Sequence, residues 1–589
     1  MRKLLLVILS VLLLLTGTAC KKKENGGKED PVIDNIETEV QKRFDELQKQ
    51  WFKEDMESDY TNVHFSIVEP AKYGIKDLEV TLGNVSYEMT EEDQKSLDDL
   101  KARVEKLKEF KLEDLTTDQQ IMYECMEYYF DLNIGFYETE KDYTFAFTPN
   151  SGNNNNLITL FTEFDFRNEQ DFHDYITLLK DTGRYIDECI EYTRRQAAEG
   201  IVQPDSVIDS VIEQCERFTG NVDDNEVIKV FTEAINKVNM TGSQELIDEV
   251  VAATKDILIP AYKRIIDLYD KELRGKCTTS GVMADYDGGK ELYSLLVRNK
   301  VSTDKSVAEI ENDVEAALEG AYNRIIRNSR VSITEGYGFS DPYDIFSHLM
   351  TSMANDFPDI PKVDYSIDFL DKSVTSDNTS AYYLIAPIDD PNKNVVKVNP
   401  TFVERDADGL CITLAHEGYP GHLYQHSYYS VNHPGNEYRY VMDFLGYAEG
   451  WAEYCENHAY SYFLKNSKEI AYMQDNNMFS YLMYAYTDLK MHYDGWGIKE
   501  IEQFLSSYFV ESYAQEIAPD IFATNLGDPG LFLPYGVGMM YMTNMMEDAK
   551  SAMGSKFDFK AYNKVILDTG AAPFQILQKQ VQKYIDKNK

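Results

Sequence analysis

Apolar residues recur at three- and four-residue spacing along most of the chain, a pattern that predicts amphipathic helices. Residues 309–328 and most of the stretch from 170 to 275 show it. In residues 36–55 the apolar positions of the pattern are Ile36, Val40, Phe44, Leu47 and Trp51. Helix starts are predicted at Thr90 and at Thr117, where the residues up to Gln120 have the spacing of a capping box. The pattern therefore predicts a mainly α fold.

Strand patterns are few and short. Apolar and polar residues alternate in residues 78–84, 382–388 and 394–400. The last two segments come just before a histidine-rich motif, so we expect a small β-sheet beside that motif. Residues 149–156 predict a loop and residues 355–366 an irregular connection, because turn-forming residues are frequent in both.

The body of the chain predicts a single unit. No internal repeat and no clean linker divides residues 36–589, which we expect to form one large helical domain. Residues 21–35 predict a polar tether. The chain is 43% hydrophobic and 13% aromatic, which excludes a long disordered protein. Its formal net charge of −43 would repel phosphates, so no nucleic acid partner is expected.

Residues 1–20 have the pattern of an export signal. A basic start at residues 1–3 precedes an apolar run at residues 4–15, which is too short for a comfortable membrane span. Small residues then lead to Cys20, as in a bacterial lipoprotein signal, although Gly17 occupies a position where leucine is usual. We expect an exported protein, lipidated at Cys20 and anchored to the membrane at the cell surface. The alternative is an ordinary cleaved signal.

Residues 416–422 read H-E-G-Y-P-G-H and are the sharpest chemical signal in the chain. The chain has 9 histidines, and four of them lie between His416 and His433. Histidine is the commonest metal-ligating side chain. On a straight helix, residues six apart point about 120° apart, so His416 and His422 would diverge. A break at Pro420 and Gly421 would allow them to converge. The rival pair is His422 with His426, four residues apart.

A second predicted helix, residues 443–463, offers carboxylates. Glu449, Glu453 and Glu456 share one face by spacing, and a third metal ligand would come from this set. The alternative is a solvated acidic face. Small residues in the same segment would let another backbone approach closely; they are Ala448, Gly450 and Ala452.

HEGYPGHLYQ, followed by AEGWAEY at residues 448–454, resembles the bacterial domain-of-unknown-function family 885. That family carries H-E-x-x-P-G-H-x-x-Q and then E-G-W-A-x-Y. Gln425 stands at the family's glutamine position, and residues 535–538 resemble its Tyr-x-x-Gly element. Residues 570–585 resemble its C-terminal helix. The resemblance covers about residues 36 to 587.

The resemblance implies a gluzincin-like zinc metallopeptidase: a large helical body with a deep cleft. The implied ligands of one zinc ion per chain are His416, His422 and Glu449. The general base would be Glu417, and Tyr535 would donate a hydrogen bond to the developing oxyanion. Residues expected to support the ligands or contact the substrate are Gln425, Glu453 and Asp443. Glu453 remains an alternative third ligand.

The expected function is therefore an exported zinc-dependent peptidase that acts on short peptides. Arg439, close after the motif, is a candidate to bind a terminal carboxylate. Two other functions use the same chain: a non-catalytic lipoprotein that binds peptide or carbohydrate, and a zinc hydrolase of a non-peptide amide or ester. Exopeptidase or endopeptidase action and the oligomeric state stay open at this point.

Overall fold

The computed structural model describes residues 38–589 apart from 140–142, 221, 223, 224, 239, 335 and 371–378. The predicted signal at residues 1–20 with Cys20, and the predicted tether at residues 21–35, lie outside the described residues.

The described chain is mainly α-helical, as predicted. Its α-helices are α1 Glu39–Met56, α2 Tyr60–Ser66, α3 Glu91–Leu107, α4 Thr117–Glu138, α5 Asn153–Thr162, α6 Glu169–Ala198, α7 Asp205–Phe218, α8 Glu226–Lys237, α9 Ser243–Ala253, α10 Ile259–Asp267, α11 Gly289–Val301, α12 Val307–Asn328, α13 Pro342–Ser352, α14 Pro400–Arg405, α15 Ala407–Glu417, α16 His422–Asn432, α17 Leu445–Phe463, α18 Ser467–His492, α19 Ile498–Leu505, α20 Glu511–Gly527, α21 Leu533–Met553, α22 Phe559–Thr569 and α23 Phe574–Asn588.

Helix starts follow the side chains that can cap them. Thr90 caps α3 in a reciprocal pair with Asp93, as predicted. The box of α4 lies one residue earlier than predicted: Thr116 accepts a hydrogen bond from the backbone of Gln119, whose side chain accepts one from the backbone of Thr116. The predicted position of the cap, Thr117, was wrong by one residue. Thr116 and Thr117 both carry a hydroxyl group that can cap a helix, and the helix begins directly after Thr116.

The sheet has three strands in the order β1-β3-β2: β1 Tyr365–Phe369, β2 Ala381–Leu384 and β3 Asn394–Val398. β1 pairs in parallel with β3, and β2 pairs antiparallel with it. The predictions of β2 and β3 are confirmed in position, although both strands are shorter than predicted. The irregular connection predicted at residues 355–366 was wrong at its end, where β1 begins.

Residues 78–84 do not form the predicted strand. Backbone donors of this segment and of the residue after it bond to carboxylates of α6. The N–H of Leu82 donates to Asp181 at 3.0 Å, and the N–H of Val85, just beyond the segment, donates to Glu188 at 2.9 Å. This segment lies against a helix and has no partner strand among the described residues. The loop predicted at residues 149–156 was also wrong in its second half, because α5 begins at Asn153.

The buried apolar residues form two large clusters. One unites α1 and α4 with the helices from α11 to the C-terminus. The other unites α5 to α10 and includes Leu384 and Val395 of the sheet. A cavity of about 670 Å³ is lined by Phe65 and Leu160 from the second cluster and by residues of α15, α16, α17 and α21. No helix in the described part of the chain is long and apolar enough to cross a membrane.

Candidate metal centre

The two motif histidines lie on different helices that meet at a sharp break. α15 ends at Glu417 and α16 begins at His422. The chain turns back between them, with the N–H of Gly421 donating to the carbonyl of Ala415 at 3.0 Å. The rings of His416 and His422 are thereby brought to 4.8 Å between centroids. The predicted break at Pro420 and Gly421 is confirmed.

Gly421 is required at the break because no side chain fits there. A Cβ atom on Gly421 would lie 1.7 Å from the carbonyl oxygen of His416. The indole N–H of Trp451, on α17, donates to the carbonyl of Pro420 at 3.0 Å and holds the turn from the other side. The break is thus packed between the backbone of α15 and a buried side chain of α17.

We expect Gly421→Ala to destabilise the fold by about 3 kcal/mol and to weaken zinc binding at least tenfold. The added methyl group overlaps the backbone that carries His416, so the chain must open and move His422. Thermal unfolding and a zinc titration of the full chain would measure both effects. Gly320→Ala is the matched control, because its Cβ would meet only the tip of Arg324 at 3.2 Å. Unchanged zinc affinity in Gly421→Ala would contradict this account.

Two glycines bring a carboxylate and a tyrosine to the same place. Gly450 of α17 faces Gly538 of α21, and a Cβ on Gly450 would lie 2.6 Å from the backbone of Gly538. The close backbone approach predicted for Gly450 is confirmed. On the adjoining turns, Glu449 and Tyr535 both line the cavity, and the hydroxyl of Tyr535 interacts with Glu449.

Three ligand atoms converge as a zinc ion requires. Oε2 of Glu449 lies 3.4 Å from Nε2 of His416 and 3.3 Å from Nε2 of His422. Ligand atoms at the corners of a tetrahedron around zinc, with bonds of about 2.0–2.1 Å, are separated by about 3.4 Å. Oε2 of Glu449 is buried and accepts no hydrogen bond from the described residues. Two imidazole nitrogens and one carboxylate oxygen at these separations form a donor set that would fit zinc.

The other face of His416 is held by two further carboxylates of α17. Nδ1 lies 3.2 Å from Glu456 and 3.5 Å from Glu453. Burial alone would lower the pKa of His416, but Glu449 and Glu456 raise it well above its ordinary value. A carboxylate on the second nitrogen orients a ligand histidine and increases its basicity. His416 with Glu453 and Glu456 is also a group that could hold a metal ion, but it contains one imidazole and leaves His422 out.

Glu417 is placed for proton transfer. Its Oε2 accepts a hydrogen bond of 2.8 Å from the backbone N–H of Tyr383 in β2. Its Oε1 lies 4.0 Å from Nε2 of His416, which leaves it beside the three converging atoms. Burial raises the pKa of Glu417, while His416 and His422 oppose that effect. A carboxylate with a raised pKa in this position is suited to accept a proton and release it again.

Tyr535 remains protonated beside these carboxylates. Glu449 and burial raise its pKa well above the ordinary value, so the phenol is a hydrogen-bond donor. Its ring lies 6.3 Å from that of His416 and 6.0 Å from that of Tyr481, nearly parallel to both. Tyr535 thus lies in the cavity wall beside His416, with Glu449 as the hydrogen-bond partner of its hydroxyl.

The structure separates His426 from the converging group. Its ring lies 6.5 Å from that of His422, and burial lowers its pKa to about 3. No group of candidate ligands among the described residues includes His426, so the geometry favours His416 as the partner of His422. Gln425 and Asp443 both line the cavity, and burial raises the pKa of Asp443 to about 6.

Arg439 also lies in the cavity wall, in the short turn Glu437–Tyr440. In the sequence, Arg439 is close to the histidine motif, and the structure shows that it also lines the same cavity. Sequence reasoning named Glu456 among three possible metal ligands, and the structure places it on Nδ1 of His416. Sequence reasoning missed Tyr383, whose backbone N–H donates to Glu417. Nothing in the sequence indicated this contact, because Tyr383 acts through its backbone.

Fold and site together define a mainly helical protein with a partly buried His–His–Glu cluster in a large cavity. The chain belongs to a family described as a bacterial protein of unknown function (DUF885), whose model matches residues 73–351 and 339–581. None of the curated proteins matches the chain.

Two solved structures share the fold. A "putative lipoprotein" from Colwellia psychrerythraea is 19% identical, with a TM-score of 0.74 over 93% of this chain and 99% of that one. A "putative lipoprotein of unknown function" from Shewanella oneidensis is 13% identical, with a TM-score of 0.58 over 91% of this chain and 99% of that one. At these identities the likeness concerns the fold alone.

Proposed function

We propose that this protein is a zinc-dependent peptidase. The observation that carries the proposal is the convergence of His416, His422 and Glu449 on one point, with ligand-atom separations of 3.4 and 3.3 Å. Two imidazoles and one carboxylate, with a fourth position left open, are the ligand set of catalytic zinc. Glu417 and Tyr535 beside the same point provide the proton acceptor and the hydrogen-bond donor that amide hydrolysis needs.

The chain's own residues supply the acid–base chemistry. When bound, zinc acts as a Lewis acid and lowers the pKa of water towards about 7. Glu417 takes a proton from the attacking water, and the N–H of Tyr383 fixes the other carboxylate oxygen during the transfer. Glu417 then passes this proton to the nitrogen of the departing amine. Tyr535 donates a hydrogen bond to the oxygen that gains negative charge at the scissile carbonyl.

The form of the cavity supports a peptide as substrate. Its volume of about 670 Å³ lies within the range of sites that enclose a ligand of a few residues. The edge strand β2 and the three acidic residues of α17 line it together with aromatic side chains. Such a lining offers backbone and side-chain partners to a short extended peptide.

We also propose that the protein is exported and anchored to the membrane by lipid on Cys20. The support is the signal pattern of residues 1–20. In addition, both similar solved structures carry the name "putative lipoprotein".

The test is zinc content and peptide hydrolysis by the full chain purified in detergent. We expect about one zinc per chain, loss of hydrolysis of short peptides by at least a hundredfold after chelation, and recovery with one equivalent of zinc. A small ester and a non-peptide amide would be assayed in parallel. Failure to take up zinc would refute the proposal. Zinc with hydrolysis only of the ester or the non-peptide amide would replace the peptidase by another hydrolase.

A further inference from the structure

Arg439 is a buried cation with no anion. Arg439 is 5% exposed and lines the cavity. No carboxylate of the described residues lies within ion-pair distance of it. Among the described residues that line the cavity it is the one lysine or arginine. A buried guanidinium without an anion is costly, so a structure that retains one normally gains an anion from elsewhere.

The guanidinium is held in place by backbone oxygens. Its Nη2 donates to the carbonyl of Thr569 at 3.0 Å and to that of Ala571. Gly570 between them packs against the ring of Tyr429, where an added Cβ would lie 2.2 Å from a ring carbon. The guanidinium carbon lies 5.6 Å from the centre of that ring. These contacts fix one nitrogen and the plane of the group.

One nitrogen of the guanidinium, Nη1, remains accessible to a ligand. Nε is buried without a partner, and Nη1 makes no hydrogen bond with any described residue. Nη1, unlike Nε, is not sealed from solvent. Both N–H groups of Nη1 are therefore available to an acceptor that enters the cavity.

We propose that Arg439 binds the C-terminal carboxylate of the peptide substrate, so that the enzyme removes short fragments from the C-terminus. The inference rests on the proposed peptidase function and names its substrate class. A carboxylate supplies both the negative charge and the acceptor oxygens that this guanidinium lacks. Five carboxylic side chains line the same cavity, and Arg439 is the one lysine or arginine among its described lining residues.

The helix α16 sets the length of the fragment. His422 and Tyr429 both line the cavity and are seven residues apart, so they lie on one face of the helix. A rise of 1.5 Å per residue separates them by roughly 10 Å along the axis. Extended peptide spans roughly 3.3–3.6 Å per residue, which places about three residues between the scissile bond and a carboxylate that meets Arg439.

The test compares peptides that differ only at the C-terminus. The probe is Ala-Ala-Phe-Ala-Ala with an N-terminal fluorophore, as free acid and as amide, and its binding to the zinc-loaded full chain carrying Glu417→Gln is measured by fluorescence anisotropy. We expect the free acid to bind about tenfold to a hundredfold more tightly than the amide. Added Arg439→Met should reduce this ratio to about one, and Arg439→Lys should leave an intermediate ratio.

Arg103→Met is the control. Arg103 contacts the same turn from outside the cavity, where its Nη1 donates to the hydroxyl of Tyr438 at 3.3 Å. This variant should keep the acid-to-amide ratio even if it lowers the melting temperature. A purely structural role of Arg439 would weaken both peptides alike and leave the ratio unchanged.

Three further outcomes would overturn the inference. If the acid and the amide bind equally well and the unsubstituted protein cleaves both, the carboxylate site at Arg439 is refuted and the proposed peptidase function is retained. Equally tight binding of an amide ending in glutamate would assign Arg439 to an acidic side chain. No cleavage of either peptide by the zinc-loaded protein would refute the peptidase itself. Mass spectrometry of the products should show fragments of about three residues released from the C-terminus of the free acid.

Discussion

Glu417→Gln should retain its zinc and lose peptide hydrolysis by about a hundredfold to ten-thousandfold in kcat. The amide keeps the size of the carboxyl group and still accepts the hydrogen bond from Tyr383, so the cavity is preserved. It cannot take a proton from water, and general acid–base catalysis contributes about this factor. Steady-state hydrolysis with metal analysis of the same sample would measure both quantities.

The matched control is Glu404→Gln, which makes the same change on an exposed residue of α14, the helix before α15. It should leave kcat and zinc content unaltered. Full activity of Glu417→Gln would remove Glu417 from the mechanism. A non-catalytic binding protein would show a different pattern, with peptide binding in both variants and hydrolysis in neither.

Glu449→Gln should lose zinc, with affinity reduced at least a hundredfold, whereas Glu453→Gln should lose less than about a hundredfold. Glu449 lies against Nε2 of both histidines, and Glu453 lies 3.5 Å from Nδ1 of His416, on the opposite side of that ring. A direct ligand supplies a bond to the ion, while a carboxylate behind a ligand contributes about tenfold to a hundredfold. Competition with a chromophoric chelator would give the two affinities.

The melting temperatures of both variants would show whether a loss of zinc reflects a loss of fold. Glu453 is fully buried, so its variant is the more demanding control for folding. The reverse order of affinities, with Glu453→Gln the weaker binder, would place the ion in the group of His416, Glu453 and Glu456 and would leave His422 without a metal.

Helices were predictable because their signals are local. The apolar spacing of residues 309–328 and the cap at Thr90 are confirmed by α12 and α3. The strand predicted at residues 78–84 does not form, because the backbone N–H of Leu82 donates to the side chain of Asp181, about a hundred residues away in the sequence. β1 was missed because its pairing with β3 is parallel and spans an intervening strand, which no short window of sequence can show.

The site was predictable in its residue types and less so in its geometry. Helical spacing alone left His426 as a partner for His422, and only the path of the chain through Gly418 and Gly421 brings His416 there. The resemblance to a family selected Glu449 from three carboxylates on one face. The structure places the other two carboxylates, Glu453 and Glu456, beside Nδ1 of His416, on the side of the ring away from Glu449.

The contact between Gly450 and Gly538 has a mechanical consequence. It locks α17 to α21 at a backbone separation that no side chain could share, so Glu449 and Tyr535 move as one rigid body. The cavity wall on the opposite side, formed among the described residues by α2 and α5, has no such contact with α17 or α21, so we expect any widening of the cavity to occur there. The contact between the two glycines therefore keeps the distance between Glu449 and Tyr535 constant when other parts of the cavity wall move.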